Sequence, residues 1–238
     1  MKTSQTGDDI IAANARWTFD GEVAERFDAH VSKSVPLYGE GHELVCKLSD
    51  FFLTDGSVCY DLGCSTAALT YKLAEHNSSK KVTFRGIDRV PEMIAKAKKR
   101  YQRKPNVRLL TQDLMDVEFE QSDLIVAYYT MQFIRPKNRQ VLLDRIYNAL
   151  NWGGAFILFE KVRAQDARFQ DIATTLYTDF KIEEGYTSEE IVAKTRSLKG
   201  VLEPFSTQGN IDLLKRAGFV DILSVMKYVC FEGFLAIR

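Results

Sequence analysis

The stretch from Val58 to Leu69, reading VCYDLGCSTAAL, constrains this chain more than any other. It starts as a short apolar run with an aromatic and a β-branched residue, the pattern of a buried strand. The run breaks at Gly63. It resumes with small residues, then Leu69, Leu73 and Ala74 at helical spacing. Strand, glycine turn and helix in that order open a βαβ unit. Such a turn leaves backbone N–H groups free at a helix N-terminus, a seat for a carboxylate or phosphate. Asp61, at the end of the strand, is a fixed acceptor beside that seat.

The alternation continues downstream. Val82 to Asp88 reads as a second buried strand ending in an acid. Pro91 opens a helix with Met93, Ile94, Ala97 and Tyr101 on its inner face. Its basic run, Lys96, Lys98, Lys99, Arg100, Arg103 and Lys104, reads as a solvated face. Val107 to Leu110 is the third strand and Asp123 to Tyr129 the fourth. Val141, Leu142, Ile146 and Leu150 make a helix that Asn151-Trp152-Gly153-Gly154 ends with glycine near its C-cap. Ala155 to Glu160 is the fifth strand. Five strands with helices between them predict an α/β fold with a doubly wound, mostly parallel sheet and helices on both faces. A helix through Ile211, Leu213, Leu214 and Ala217 ends at Gly218, and a hairpin of Val220 to Met226 and Tyr228 to Ile237 brings the strands to seven.

The N-terminal part of the chain and an insertion after strand five lie outside this pattern. Residues 1 to about 15 are polar and are expected to be mobile. From about 16 to 40 an N-terminal cap carries Trp17 and Phe19, then Val23, Ala24, Phe27 and Val31 at helical spacing up to the break at Pro36. A second helix follows, with Leu44, Val45, Leu48, Phe51 and Phe52 on one face. From about 161 to 205 a charged, helical insertion rich in aromatics (Phe169, Tyr177, Phe180, Tyr186) follows strand five and lies over its carboxyl end. No linker or repeat divides the chain, so residues 1–238 are expected to form one domain.

Composition narrows the classes of partner. Lys plus Arg and Asp plus Glu both number 32, which argues against a general basic face, so direct nucleic-acid binding is not expected. Cys46, Cys59, Cys64 and Cys230 form no CxxC pair and no cluster with the three histidines. They read as free thiols of a cytoplasmic protein without a metal site. No apolar run reaches the roughly 18 residues of a membrane helix.

The turn reads G-C-S-T-A-A and lacks the second glycine that lets a pyrophosphate approach the backbone. That weakens a dinucleotide reading, which Arg89 after Asp88 restores only in small part. Acids beside the loop, after the second strand and after the third suit a nucleoside with an amino-acid tail. Asp61 meets an ammonium, Asp88 accepts from both hydroxyls of a ribose, and Asp113, with Leu114 beside it, reads an adenine edge. This set points to S-adenosylmethionine or S-adenosylhomocysteine. Tyr128, Tyr129 and Gln132 follow the fourth strand, where ligands of open α/β sheets sit. They and Glu160 are pocket candidates, with His30 and His42 behind them. Arg196 and Tyr186 are candidates to contact a small-molecule acceptor from the insertion.

At this point the chain resembles class I S-adenosylmethionine-dependent methyltransferases. More closely it is similar to the carboxy-S-adenosylmethionine synthase family of tRNA wobble-uridine modification. The resemblance rests on Trp17-Thr18-Phe19-Asp20, Val23-Ala24-Glu25, Phe27, Ser34-Val35-Pro36, Tyr38 and Tyr60 to Ser65. It continues through Thr130, Gln132-Phe133, Leu142-Leu143-Asp144, Ile146-Tyr147, Gly153-Gly154, Glu160-Lys161, Asp179-Phe180-Lys181 and Gly185-Tyr186. It implies a Rossmann-like fold, a homodimer, and a cofactor site of Tyr38, Gly63, Cys64, Ser65, Asp88, Arg89, Asp113 and Leu114. In two places the chain departs from the family pattern. Tyr128 stands where the family has asparagine. Thr195 stands where it has the arginine that holds the added carboxylate, with Arg196 one step on and turned by about 100° on a helix. The first expectation is therefore methyl transfer to a small acceptor, with Tyr128, Tyr129, Gln132 and Arg196 as catalytic candidates. The alternatives are carboxy-S-adenosylmethionine synthesis with prephenate as carboxyl donor, and a non-catalytic dimer that holds the adenosyl ligand.

Overall fold

The polar N-terminal residues, expected to be mobile, instead make a hairpin of β1 (Thr3–Gln5) and β2 (Ile11–Ala13). Ile10 explains the difference, because it is buried with Trp17 and Val23 and draws the segment onto the protein. The computed structural model describes residues 3–101 and 104–238. Arg103, the fifth member of the basic run, lies outside the described residues.

The cap is α1 (Glu22–Ser34), followed by α2 (Tyr38–Ser49). The alternating core comprises β3 (Val58–Leu62), α3 (Ala68–His76), β4 (Thr83–Asp88), α4 (Pro91–Arg100), β5 (Val107–Thr111), β6 (Ser122–Tyr128), α5 (Pro136–Ala149) and β7 (Leu150–Lys161). The insertion holds α6 (Ala167–Glu183) and α7 (Ser188–Ser197), whose start is a reciprocal capping box of Thr187 and Glu190. The chain closes with α8 (Thr207–Ala217), β8 (Asp221–Tyr228) and β9 (Phe231–Ile237).

The sheet order is β5-β4-β3-β6-β7-β9-β8, with β9 antiparallel to both neighbours and the other described pairings parallel. The central strands are apolar on both faces because helices cover both. One core joins Leu62, Ile125, Ala127, Phe156 and Leu158 to α5 and α8. The other joins Cys59, Leu124, Val126, Ile157 and Phe159 to α2 and α3.

Three local expectations are corrected. Phe51 is 81% exposed, because α2 ends at Ser49 and the periodic face ends with it. On α5 the inner face passes through Leu143 and leaves Val141 exposed. That helix stops at Ala149, so Asn151 to Gly154 belong to the start of β7 and do not cap it.

Candidate functional site

A cavity of about 500 Å3 opens beyond the carboxyl ends of β3, β4, β6 and β7. That size is ordinary for a small-molecule site. Its floor is the turn from β3 into α3. There Gly63, Ser65 and Ala67 all have positive φ, at 72°, 50° and 59°. Only Gly63 adopts this without steric cost, and it has a second reason to be glycine. A Cβ there would lie 2.4 Å from Oγ1 of Thr130. Asp88 organises the turn from the next strand: its Oδ2 accepts from the Ser65 amide at 2.8 Å and its Oδ1 from the Val90 amide at 2.9 Å.

The cofactor candidates Tyr38, Asp61, Gly63, Cys64, Ser65, Asp88, Arg89, Asp113, Leu114 and Tyr128 all line this one cavity. Asp61 is buried and accepts from the Thr70 hydroxyl at 2.6 Å. Burial, which the Thr70 hydrogen bond only partly offsets, and the charge of Asp88 raise its carboxyl to about 6. Asp113 caps the short turn Leu114–Asp116 by accepting from the Met115 amide at 2.9 Å. The turn, the two strand-end acids and the acid after β5 thus line one concave surface.

The catalytic candidates separate. Tyr128 donates to the carbonyl of Tyr38 at 2.7 Å. Gly41 makes room for it, since a Cβ at 41 would meet that hydroxyl at 2.1 Å. The Gln132 amide is also engaged: its Nε2 donates to the Tyr129 carbonyl and its Oε1 accepts from the Lys161 amide. Tyr129 is held at φ 58°, a strained backbone at the end of β6, and its ring stacks on Tyr38. Burial, with Tyr38 and Glu160 nearby, raises its phenol well above the ordinary range. Arg196 does not line the cavity. It lines an outer depression with Ser188 and Val192, whereas Thr195 borders both that depression and the cavity. One helical step accounts for this.

Glu160 and Tyr186 also stand outside the cavity lining, contrary to expectation. Glu160 is fully buried, and neither carboxyl oxygen has a hydrogen-bond partner among the described residues. Burial pushes its carboxyl up to about 8, which favours the neutral acid at pH 7. The Tyr186 hydroxyl is engaged by Asp8 at 2.5 Å. Trp17, Phe19, His30 and His42 do line the cavity, which makes the cap one of its walls.

Apart from Arg89, the sequence reading missed the cavity's cations. Lys161, Lys181 and Lys194 line one end of it, beside Tyr177. No carboxylate lies within ion-pair distance of their ammonium groups among the described residues. Lys161 Nζ sits 3.9 Å from the centre of the Tyr177 ring, and Lys194 Nζ lies 2.9 Å from Nε2 of His30. Burial lowers all three amines, and Lys181 falls to about 8 with Lys161 nearby. The only sequence signal was the recurrence of Glu160-Lys161 and Asp179-Phe180-Lys181 in motifs, which did not say that the side chains converge.

This strand order, with a turn and acids gathered at the strand ends, defines the class I methyltransferase fold. Residues 59–154 match the model of a methyltransferase domain. Magnesium protoporphyrin IX methyltransferase from Synechocystis, solved with bound S-adenosylhomocysteine, superposes with a TM-score of 0.64 over 92% of this chain and 96% of its own, at 14% identity. The similarity to curated relatives is closer. The carboxy-S-adenosyl-L-methionine synthase of Campylobacter lari is 37% identical over 94% of this chain and 95% of its own length. That of Staphylococcus epidermidis is 35% identical over 94% and 97%. The chain belongs to the carboxy-S-adenosyl-L-methionine synthase family.

Proposed function

We propose that this protein is an S-adenosylmethionine-dependent transferase that makes carboxy-S-adenosylmethionine. The observation that carries the reading is the pair of features in one cavity: a nucleoside seat with three acids, and three lysines that have no carboxylate partner among the described residues. The residues fit the cofactor. Asp88 retains acceptor capacity for ribose hydroxyls, because each carboxylate oxygen has two lone pairs and each is used once by backbone. Gly63 keeps the turn open, Asp61 suits the ammonium of the amino-acid tail, and Asp113 with Leu114 suits the adenine. When bound, the cofactor supplies a sulfonium methyl whose carbon is acidified by the adjacent positive charge.

The lysine end suits an anionic carboxyl donor, with prephenate as the donor expected of the family. A carboxylate placed among Lys161, Lys181 and Lys194 restores the charges that burial disfavours. Tyr129 and the aromatic walls exclude water from the same space. Residues of the cap and of the insertion supply these walls, which supports reading residues 1–238 as one domain. We further infer a homodimer. Phe169, Ile172 and Leu176 lie on one face of α6 and are 57%, 52% and 49% exposed, an apolar stripe that suits a second copy. Buried free thiols fit a cytoplasmic setting. No helix among the described residues is long and apolar enough to cross a membrane.

Methyl transfer to a small acceptor is the second reading. It is favoured by Thr195 at the family's arginine position and by Arg196 standing outside the cavity lining. Mass spectrometry of the ligand that co-purifies with the protein separates the two. A carboxylated adenosyl ligand is expected. Recovery of S-adenosylmethionine or S-adenosylhomocysteine alone, with no carboxylated product when prephenate is added, would transfer the assignment to methyl transfer.

A further inference from the structure

The cofactor turn carries two residues with a Cβ in the left-handed region, Ser65 and Ala67, with Thr66 between them. Such a run holds only where its surroundings impose it. Most of the restraints come from the sheet: Gly63 and Cys64 amides donate to the Ile87 carbonyl, and the Ser65 amide donates to Asp88. One comes from the opposite side. Thr66 is 1% exposed, and its hydroxyl donates to Oδ1 of Asp28 at 2.5 Å. Asp28 belongs to α1, the cap helix.

Asp28 is itself held. Its Oδ2 accepts from Arg100 of α4. Lys96, one turn earlier on α4, donates to the carbonyls of Ala24 at 2.9 Å and Glu25 at 2.5 Å. The carboxylate therefore joins the cap, α4 and the cofactor turn at one point. The neighbouring cap residues Phe27, His30, Val31 and Ser34 line the cavity. Whatever sets the turn also sets the wall that closes over it.

We propose that Asp28 is a positioning residue that latches the cap to the cofactor turn through Thr66, so that cofactor affinity depends on a side chain that does not touch the cofactor. The inference rests on the S-adenosylmethionine reading. It says more than that reading does, because Asp88 and the turn would hold a nucleoside without it. Losing either partner leaves a buried hydroxyl or a carboxylate without its bond, and lets the turn relax away from its binding shape.

The test is calorimetric binding of S-adenosylhomocysteine to the full chain, with the steady-state KM for S-adenosylmethionine beside it. Asp28→Ala and Thr66→Val are each expected to weaken binding by about tenfold or more. KM should rise in step while kcat stays within about twofold, the mark of binding lost alike in ground and transition state. Thr66→Ser keeps the donor and Asp28→Asn keeps an acceptor, so each should remain within about threefold of the parent. The Asp28→Ala/Thr66→Val double variant should bind no more than about twofold more weakly than the worse single variant. The latch is overturned if Asp28→Ala and Thr66→Val bind like the parent, or if their losses multiply in the double variant. It is equally overturned if Thr66→Ser is as impaired as Thr66→Val, since a packing defect and not the bond would then be responsible. Should Asp28→Ala fail to fold, the Thr66 pair carries the same decision. A parent protein that binds no S-adenosylhomocysteine would overturn the cofactor reading itself, and the variants would not be needed to see it.

Discussion

Thr195 and Arg196 show how much one residue of register decides. Both sit on α7, yet the threonine borders both the cavity and the outer depression and the arginine borders the outer depression alone. Lys161, Lys181 and Lys194, which lie on different elements, reach the same cavity. Two substitutions distinguish the sites. Arg196→Ala is expected to leave the KM for the carboxyl donor within about twofold, because Arg196 is no part of the cavity lining. Lys181→Met should raise that KM by about tenfold or more, because a buried charge partner of an anion is lost. Burial, with Lys161 beside it, holds the Lys181 amine at about 8, so donor binding should weaken as pH rises through 8 and the ammonium is lost. Steady-state kinetics from pH 6.5 to 9.5 measures both. A flat KM for the parent across that range would exclude Lys181 as the anion's partner.

At the scale of elements, α2 and β6 are fitted to each other at a titratable side chain. His42 is buried against Tyr38 and Tyr128, and its Nε2 has no partner among the described residues. Burial, with the charge of Lys72, pushes its imidazole down from 6.5 to about 4. Between those values the unfolded chain takes up a proton that the folded chain refuses, so stability is lost as pH falls from 6.5 toward 4. The penalty is on the order of 3 kcal/mol by the bottom of that window. His30, also near 4, acts with the same sign. Asp61 and Glu160, raised to about 6 and about 8, act with the opposite sign, losing stability as pH rises toward those values. A His42→Phe variant should flatten the acid limb of a urea-unfolding series without changing the alkaline limb. An unchanged difference from the parent at pH 4.5 and pH 7 would refute this assignment of His42.

The whole molecule presents one further surface, the apolar stripe on α6. Exposed apolar side chains at three positions of one helical face are costly in water unless covered. The protein is expected to sediment as a dimer at micromolar concentration. Phe169→Glu combined with Leu176→Glu should shift it to a monomer while the far-ultraviolet circular dichroism is retained. A parent that sediments as a monomer would remove α6 from consideration as an interface.

Much of this molecule was legible in the order of its residues. Apolar runs with β-branched and aromatic residues, spaced by helical repeats, specify strands, helices and their alternation, because burial of each face is a local periodic demand. The same logic placed the turn at Gly63, the acids Asp61, Asp88 and Asp113, and the chain reversal at Gly218. The hairpin before Trp17 was not legible, because its anchors, Ile10 in a small apolar cluster and Asp8 on His30 and Tyr186, have partners that lie beyond it in the chain. Nor were the exclusion of Glu160 from the cavity, the lysine cluster or the bond from Asp28 to Thr66. These depend on where elements far apart in the chain meet. Periodicity reports which face of an element is buried, but only the packed structure decides what that face is buried against.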